Sequence, residues 1–432
     1  MFPYMPAVAA FEFALSCFEI YLTVRQKRRF QSTQPPPELE QVVSDKFDKS
    51  QKYGNDKCTL SIVSDTILST VHLGFRLGYV YPFLWKASYH IMVKCAPSLT
   101  SSNEIVQTMI FGVVTALLGK LIELPFELYG TFVLEEKYGF NRTTLFTFFK
   151  DMLVSSAVGF GIGIPLLPAL WYIIEKSGPL LWLYFWLFVS GFSIVLTVIY
   201  PSGIAPLFNT FAPLPDGKLK AAIDDLAASI KFPLTKIYVM DGSRRSSHSN
   251  AYFYGIFTKG IVLFDSLLEQ CKGHDERILA VLCHELGHWK MGHTRKGLIL
   301  GLTQMLFLSW LYGQTASNKD IFESFGYSDT PHLIGMMLFF EIMAPVDSLM
   351  SLLMNYINRK HEYEADRFAA DMGHAEALGD ALVGLHLENL SNMNPDPLYS
   401  AYHNSHPTLL ERLRALGVKP RPIPVSDSKK DQ

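Results

Sequence analysis

Charge is scarce in this chain. Asp, Glu, Lys and Arg make up 18% of its 432 residues, against 49% for the hydrophobic types. Soluble domains carry about 25% charged residues, so the composition argues against a soluble protein. Excess charge of one sign is also missing. The 38 basic and 40 acidic residues leave a net charge of −2, which gives no footprint for a nucleic acid. The five cysteines (Cys17, Cys58, Cys95, Cys271, Cys283) show no paired spacing. That excludes a disulfide framework and makes them reduced packing residues. No internal repeat is present. The first apolar run lacks the basic segment that opens a signal peptide; its basic cluster follows it instead.

What the chain does have is long apolar runs. Seven reach the roughly 20 mostly apolar residues that cross a bilayer, near 4–24, 64–93, 106–134, 152–174, 179–203, 297–314 and 332–354. Arg25, Lys27, Arg28 and Arg29 follow the first run and place that loop in the cytosol. The N-terminus is then lumenal, and counting crossings puts 204–296, 355–432 and the C-terminus on the cytosolic side. Ionisable residues interrupt the runs: Glu12 and Glu19 in the first, Asp65, Arg76 and Lys86 in the second, Lys120, Glu123 and Glu127 in the third, Glu341 and Asp347 in the seventh. Lys86 and Glu19 lie near span ends and can snorkel. The others are expected to face a bundle interior or water, so the spans should surround a wet chamber.

The chemistry centres on His284-Glu285-Leu286-Gly287-His288, within a run, Asp275 to Lys296, that reads as one helix. Histidines four apart share a helix face, so both can grip one Zn²⁺, and the glutamate beside the first can take a proton from water at the metal. A chance pentad on a surface helix is the alternative. The apolar surroundings (Ile278, Val281, Leu282, Cys283, Trp289) count against it, because buried imidazoles and a carboxylate need a partner. A third histidine ten residues after His284 would complete one known pattern, but Thr294 stands there and His293 is one place short. The third ligand is therefore sought on a later helix, from about Asn355 to Met372, where Glu362 is the candidate and His361 and Glu364 are rivals. Asp366, one turn on, can support a ligand histidine from behind. Ala365, Ala369 and Ala370 would allow the two helices to approach closely.

Only 215–272 reads as β. A short amphipathic helix from Lys218 to Ile230 leads to a strand at Ile237–Met240. A second strand spans 250–257, and a turn at Thr258-Lys259-Gly260 returns as Ile261–Phe264. An extended substrate can pair with a free sheet edge, which makes Asn250, Ala251 and Tyr252 candidate substrate contacts; a purely structural hairpin is the alternative. Pro35-Pro36-Pro37 marks a loop before a short polar helix, and 418–432 has the composition of a disordered tail. Ser405-His406-Pro407 precedes an amphipathic run, Thr408 to Leu416. His406 could donate to an oxyanion, with His403 as its local rival and a helix-entry role as its alternative.

These residues together resemble the type I CaaX prenyl proteases, integral-membrane zinc endopeptidases of the endoplasmic reticulum. The resemblance rests on His284 to Lys290, Glu362 with Asp366, Asn250 to Gly255, Pro206-Leu207-Phe208-Asn209, Ser405-His406-Pro407 and Tyr138-Gly139-Phe140-Asn141. It implies a mainly α integral membrane protein with seven transmembrane helices around a large internal chamber, capped by a gluzincin-type catalytic domain with a small β-sheet. It implies one Zn²⁺ per chain on His284, His288 and Glu362, Glu285 as general base, Asp366 behind a ligand, and His406 and Asn250 at the substrate. The implied partners are membrane lipid and prenylated Cys-a-a-X proteins, which lose their last three residues.

The expected organisation is a membrane region 1–203, a catalytic segment 204–296, two further spans in 297–354, a second catalytic segment 355–417 and the tail 418–432. Lys429-Lys430 near the C-terminus looks like a dilysine retrieval signal. A broad-specificity membrane quality-control protease would use the same site without needing a prenyl group. A prenyl-protein receptor or transporter would need no base glutamate.

Overall fold

The computed structural model describes residues 2–95, 104–248, 250–255, 259–316 and 318–421. Ile256, Phe257 and Thr258 of the expected hairpin, and the tail from 422 with Lys429 and Lys430, lie outside the described residues.

Six helical stretches are long and apolar enough to cross a membrane: Tyr4–Arg29, Lys46–Leu77, Glu104–Tyr138, Leu145–Lys176, Gly178–Leu207 and His332–Asp371. Between 6% and 28% of each stretch's most apolar window is buried. Arg76 illustrates how ionisable groups are accommodated between them. It reaches Glu12 at 2.9 Å and Glu341 at 3.4 Å, joining three helices through one cation.

Two helix breaks were not read in the sequence. The expected second span, 64–93, is divided at Gly78 and Tyr79, where Tyr79 takes φ 54°. Its first part belongs to one 38-residue helix, Glu40–Leu77, which also absorbs the expected short polar helix. Its second part is the 16-residue helix Val80–Cys95, about 24 Å long and too short to span by itself. The expected single helix Asp275 to Lys296 is likewise two, Asp275–Lys290 and His293–Thr315, separated at Gly292 with φ +70°. A left-handed residue ends a helix, and glycine adopts that conformation without strain.

The helix His293–Thr315 holds the expected sixth span. Gln304, Ser309 and Gln314 dilute its apolar character, and it is not among the six stretches above. Chain parity nevertheless requires it to cross. The helix His332–Asp371 crosses once, and its C-terminal part packs against Asp275–Lys290. The chain between these two must therefore cross once as well, and His293–Thr315 is the only long helix described there. That restores seven crossings.

The catalytic layer is built on a four-stranded sheet in the order β1-β2-β4-β3: β1 Phe211–Pro213, β2 Leu234–Met240, β3 Ala251–Tyr254 and β4 Lys259–Phe264. β2 and β4 run parallel; the other pairs are antiparallel. Ile261 and Leu263 of β4 are fully buried against Ile223, Leu267, Ile278, Leu282 and Leu286. This core closes on Ala369, Leu378, Leu382, Leu409 and Leu413 from the chain's last part, so the two catalytic segments fold as one body. Tyr138 and Phe140 pack with Tyr53 and Leu390, and Arg142 N–H donates to Arg245 O at 3.1 Å. These contacts fasten the loop after the third span to the catalytic layer.

Candidate metal centre and active site

Helix geometry brings the site together. His284 and His288 stand one turn apart on Asp275–Lys290. Gly287, between them, lets the helix Asp371 terminates come close: a Cβ on Gly287 would lie 3.1 Å from Phe368 Cδ1 and 3.3 Å from Ala365 Cα and O. Ala365 and Ala369 are fully buried at this contact, whereas Ala370 is half-buried. The close approach delivers Glu362 to the histidines. His284 Nε2 and His288 Nε2 are 3.2 Å apart. Glu362 Oε2 is 3.5 Å from His284 Nε2, and Oε1 is 3.2 Å from His288 Nε2.

This arrangement fits a divalent cation. Two imidazole nitrogens and a carboxylate, all within 4.8 Å of one another, converge at a largely buried point. Glu362 Oε2 is buried and has no hydrogen-bond partner among the described residues. The opposite nitrogen of each ring is already engaged: His284 Nδ1 lies 2.9 Å from Asp366 Oδ1, and His288 Nδ1 lies 2.9 Å from His293 Nδ1. With Nδ1–H donating to Asp366, the His284 Nε2 lone pair faces the other ligands. The rivals His361 and Glu364 are not in this triad; they cluster with His293 beside it.

Arg412 is the site residue that sequence reading missed. Its guanidinium donates from Nε to Asp366 Oδ2 at 2.8 Å and from Nη2 to Oδ1 at 2.6 Å. Nη1 lies 3.4 Å from Glu362 Oε2. Nη2 also passes 3.3 Å from His284 Nδ1, but that nitrogen carries the proton it donates to Asp366 and has no lone pair to accept another. A signal for Arg412 was present. The helix Leu409–Leu416 buries Leu409 and Leu413, and Arg412, at i+3 from Leu409, shares their apolar stripe. A buried arginine there requires a carboxylate partner.

Glu285 follows His284 on the same helix. Burial pushes its carboxyl above the ordinary carboxylate range, against the pull of His284 and His288. Cys283 is fully buried, and burial pushes its thiol up to about 12, which marks an inert packing residue. His406 precedes the Leu409–Leu416 helix with a largely exposed side chain, its Nε2 3.4 Å from Glu362 Oε1 and its Nδ1 2.9 Å from Ser405 Oγ. His403 packs on Tyr399 and Tyr402 instead. A cavity of about 750 Å³ is lined by His403, His406 and Arg412 together with Tyr53, Cys58 and His248.

Asn250, Ala251 and Tyr252 are not part of the triad. β3 is the edge strand of the sheet, next to the Asp275–Lys290 helix. Asn250 Oδ1 accepts from Ala251 N–H at 2.8 Å, and Ala251 is buried.

Residues 26–210 match the family model described as CAAX prenyl protease N-terminal, five membrane helices, and residues 213–418 match peptidase family M48. The chain is 43% identical over 420 residues to the CAAX prenyl protease 1 homolog of Arabidopsis thaliana, covering 96% of this chain and 97% of that protein. It is 40% identical over 453 residues to the homolog of Homo sapiens, covering 95% and 94%. To CAAX prenyl protease 1 of Saccharomyces cerevisiae it is 37% identical over 449 residues, covering 99% and 97%. The crystal structure of S. mikatae Ste24p superposes with a TM-score of 0.89 at 38% identity, covering 96% of this chain and 99% of that one.

Proposed function

The chain belongs to peptidase family M48, among the CAAX prenyl proteases, and on that premise we propose that it holds one zinc ion on His284, His288 and Glu362 and removes the last three residues of prenylated Cys-a-a-X proteins at the endoplasmic reticulum membrane. It is a multi-pass membrane metalloendopeptidase. The observation that carries the zinc assignment is the convergence, at one buried point, of two imidazole Nε2 atoms and the Glu362 carboxylate, whose Oε2 accepts no hydrogen bond among the described residues. Two histidines and a glutamate are a donor set of catalytic zinc.

Bound zinc would supply Lewis acidity to the scissile carbonyl and bring the pKa of water toward neutrality. The chain's own residues do the rest. Glu285 takes the proton from the attacking water and passes it to the leaving amine. When the Ser405 hydroxyl donates to His406 Nδ1, His406 Nε2–H is free to donate to the oxyanion as it forms. The free edge of β3 pairs with an extended peptide, placing Asn250, Ala251 and Tyr252 along it. Asp366 and Arg412 hold His284 and Glu362 in place from behind.

The catalytic layer is assigned to the cytosolic face. Arg25, at the end of the first helix, pairs with Asp396 at 3.1 Å. The basic cluster therefore lies on the same side as the triad, and the positive-inside rule puts that side in the cytosol.

The test uses the purified protein in detergent with matched farnesylated and unprenylated Cys-a-a-X peptides, with and without a zinc chelator. Chelator-sensitive release of the last three residues from the farnesylated peptide alone is expected. Equal cleavage of both peptides would replace this reading with a broad-specificity protease.

A further inference from the structure

Beside the triad lies a second group with metal-ligand chemistry: His293, His361 and Glu364. His293 is buried, and its two nitrogens are both engaged. Nδ1 meets His288 Nδ1 at 2.9 Å, and Nε2 meets Glu364 Oε2 at 2.9 Å. The His361 ring stacks on it at 3.9 Å and 10°.

Tautomer logic decides what this group can do. If His288 ligates through Nε2, its Nδ1 carries the proton and must donate. His293 Nδ1 is then an acceptor, so its proton sits on Nε2 and is donated to Glu364. No lone pair remains on His293 for a second cation. The stacked rings argue the same way, because nearly parallel imidazoles do not aim their lone pairs at one point. The helix break at Gly292 has a consequence for His293. It makes His293 the first residue of a new helix, where its ring folds back onto His288 instead of continuing along the helix axis.

We propose that His293, anchored by Glu364, is a positioning residue for His288, fixing its tautomer and ring orientation as Asp366 does for His284, and that the neighbouring cluster is not a second metal site. The two ligand histidines are thereby held from behind in different ways, one directly by a carboxylate and one through an intervening imidazole. This rests on the reading of His288 as a ligand. Outer partners of this kind carry about 10- to 100-fold of metal affinity.

The test measures zinc per chain and zinc retention against a competing chelator in the detergent-purified holoprotein. His293→Leu should weaken retention roughly 10- to 100-fold. His293→Gln should stay within a few-fold of the parent, because the amide oxygen can accept from His288 and the amide nitrogen can donate to Glu364. Glu364→Leu, at a half-buried position, should weaken retention in the same direction, and His361→Leu should leave one zinc per chain. Unchanged retention in both His293→Leu and Glu364→Leu would overturn the proposal. So would a second bound zinc that His361→Leu removes. His288→Ala, run in parallel, should abolish zinc binding. If it does not, the ligand assignment itself is wrong, and that failure is read separately from the relay's.

Discussion

At the scale of single residues, this site is a set of buried charges that survive only in pairs. Asp366 and Arg412 are both buried and bonded at two points. Removing one partner leaves the other charge uncompensated, so Arg412→Leu should destabilise the protein by about 3–5 kcal/mol. A lowered thermal midpoint in detergent would register this. Arg412→Lys should recover little, since an ammonium cannot make the paired contact. Glu285 is a different kind of residue: its proposed role is proton transfer rather than holding the metal. Glu285→Gln should lower turnover by roughly 10²- to 10⁴-fold while zinc content by metal analysis stays at the parent value. His288→Ala should lose both. The pentad made His284, Glu285 and His288 legible from spacing alone. Arg412 was not, because its meaning depends on which carboxylate it meets 46 residues away.

At the scale of elements, the decisive contact is between the helix carrying the histidines and the helix carrying Glu362. Small residues read in the sequence, Ala365 and Ala369, do lie at this contact, but Gly287 is the residue that admits them. Its missing Cβ would stand 3.3 Å from the Ala365 backbone. Gly287→Val should overpack the contact by about 1–3 kcal/mol and weaken zinc retention by pushing Glu362 away. Gly297→Val is the control, since a Cβ there meets nothing within 4 Å. A thermal midpoint that falls equally in both variants would show that helix propensity, not packing, is responsible. Boundaries were harder to read than the elements themselves. No proline interrupts the run through Gly292, and only the left-handed backbone there separates two helices whose side chains serve one site.

At the scale of the whole molecule, one 40-residue helix, His332–Asp371, begins at the far end of the membrane region and ends in the catalytic site. At about 60 Å it is longer than the bilayer core requires, and the surplus carries Glu362 and Asp366. The same geometry bears on topology. Asn141 bridges to Ser246 of the catalytic layer, and Asn389 lies 3.1 Å from His248 Nδ1. Both acceptor-type triplets, Asn141-Arg142-Thr143 and Asn389-Leu390-Ser391, therefore sit on the triad's side. With that side in the cytosol, neither is glycosylated. A glycosidase-sensitive mass shift on the full chain would refute that orientation.

Local pattern and composition were enough to establish a polytopic membrane protein with a His-Glu-x-x-His helix, because hydrophobic run length and a four-residue spacing are properties of adjacent sequence. They also reached the helix that carries Glu362 and Asp366, but Glu362 was preferred to His361 and Glu364 only by its place in the family's motif. Which of Glu362, His361 and Glu364 would converge on His284 and His288 was settled by the rotation of one helix against another. The buried partner Arg412 and the pairing of His293 with His288 rather than with a metal were settled in the same way. Such choices depend on distances between segments far apart in the chain, and those distances exist only once the sheet core and the Gly287 contact have closed.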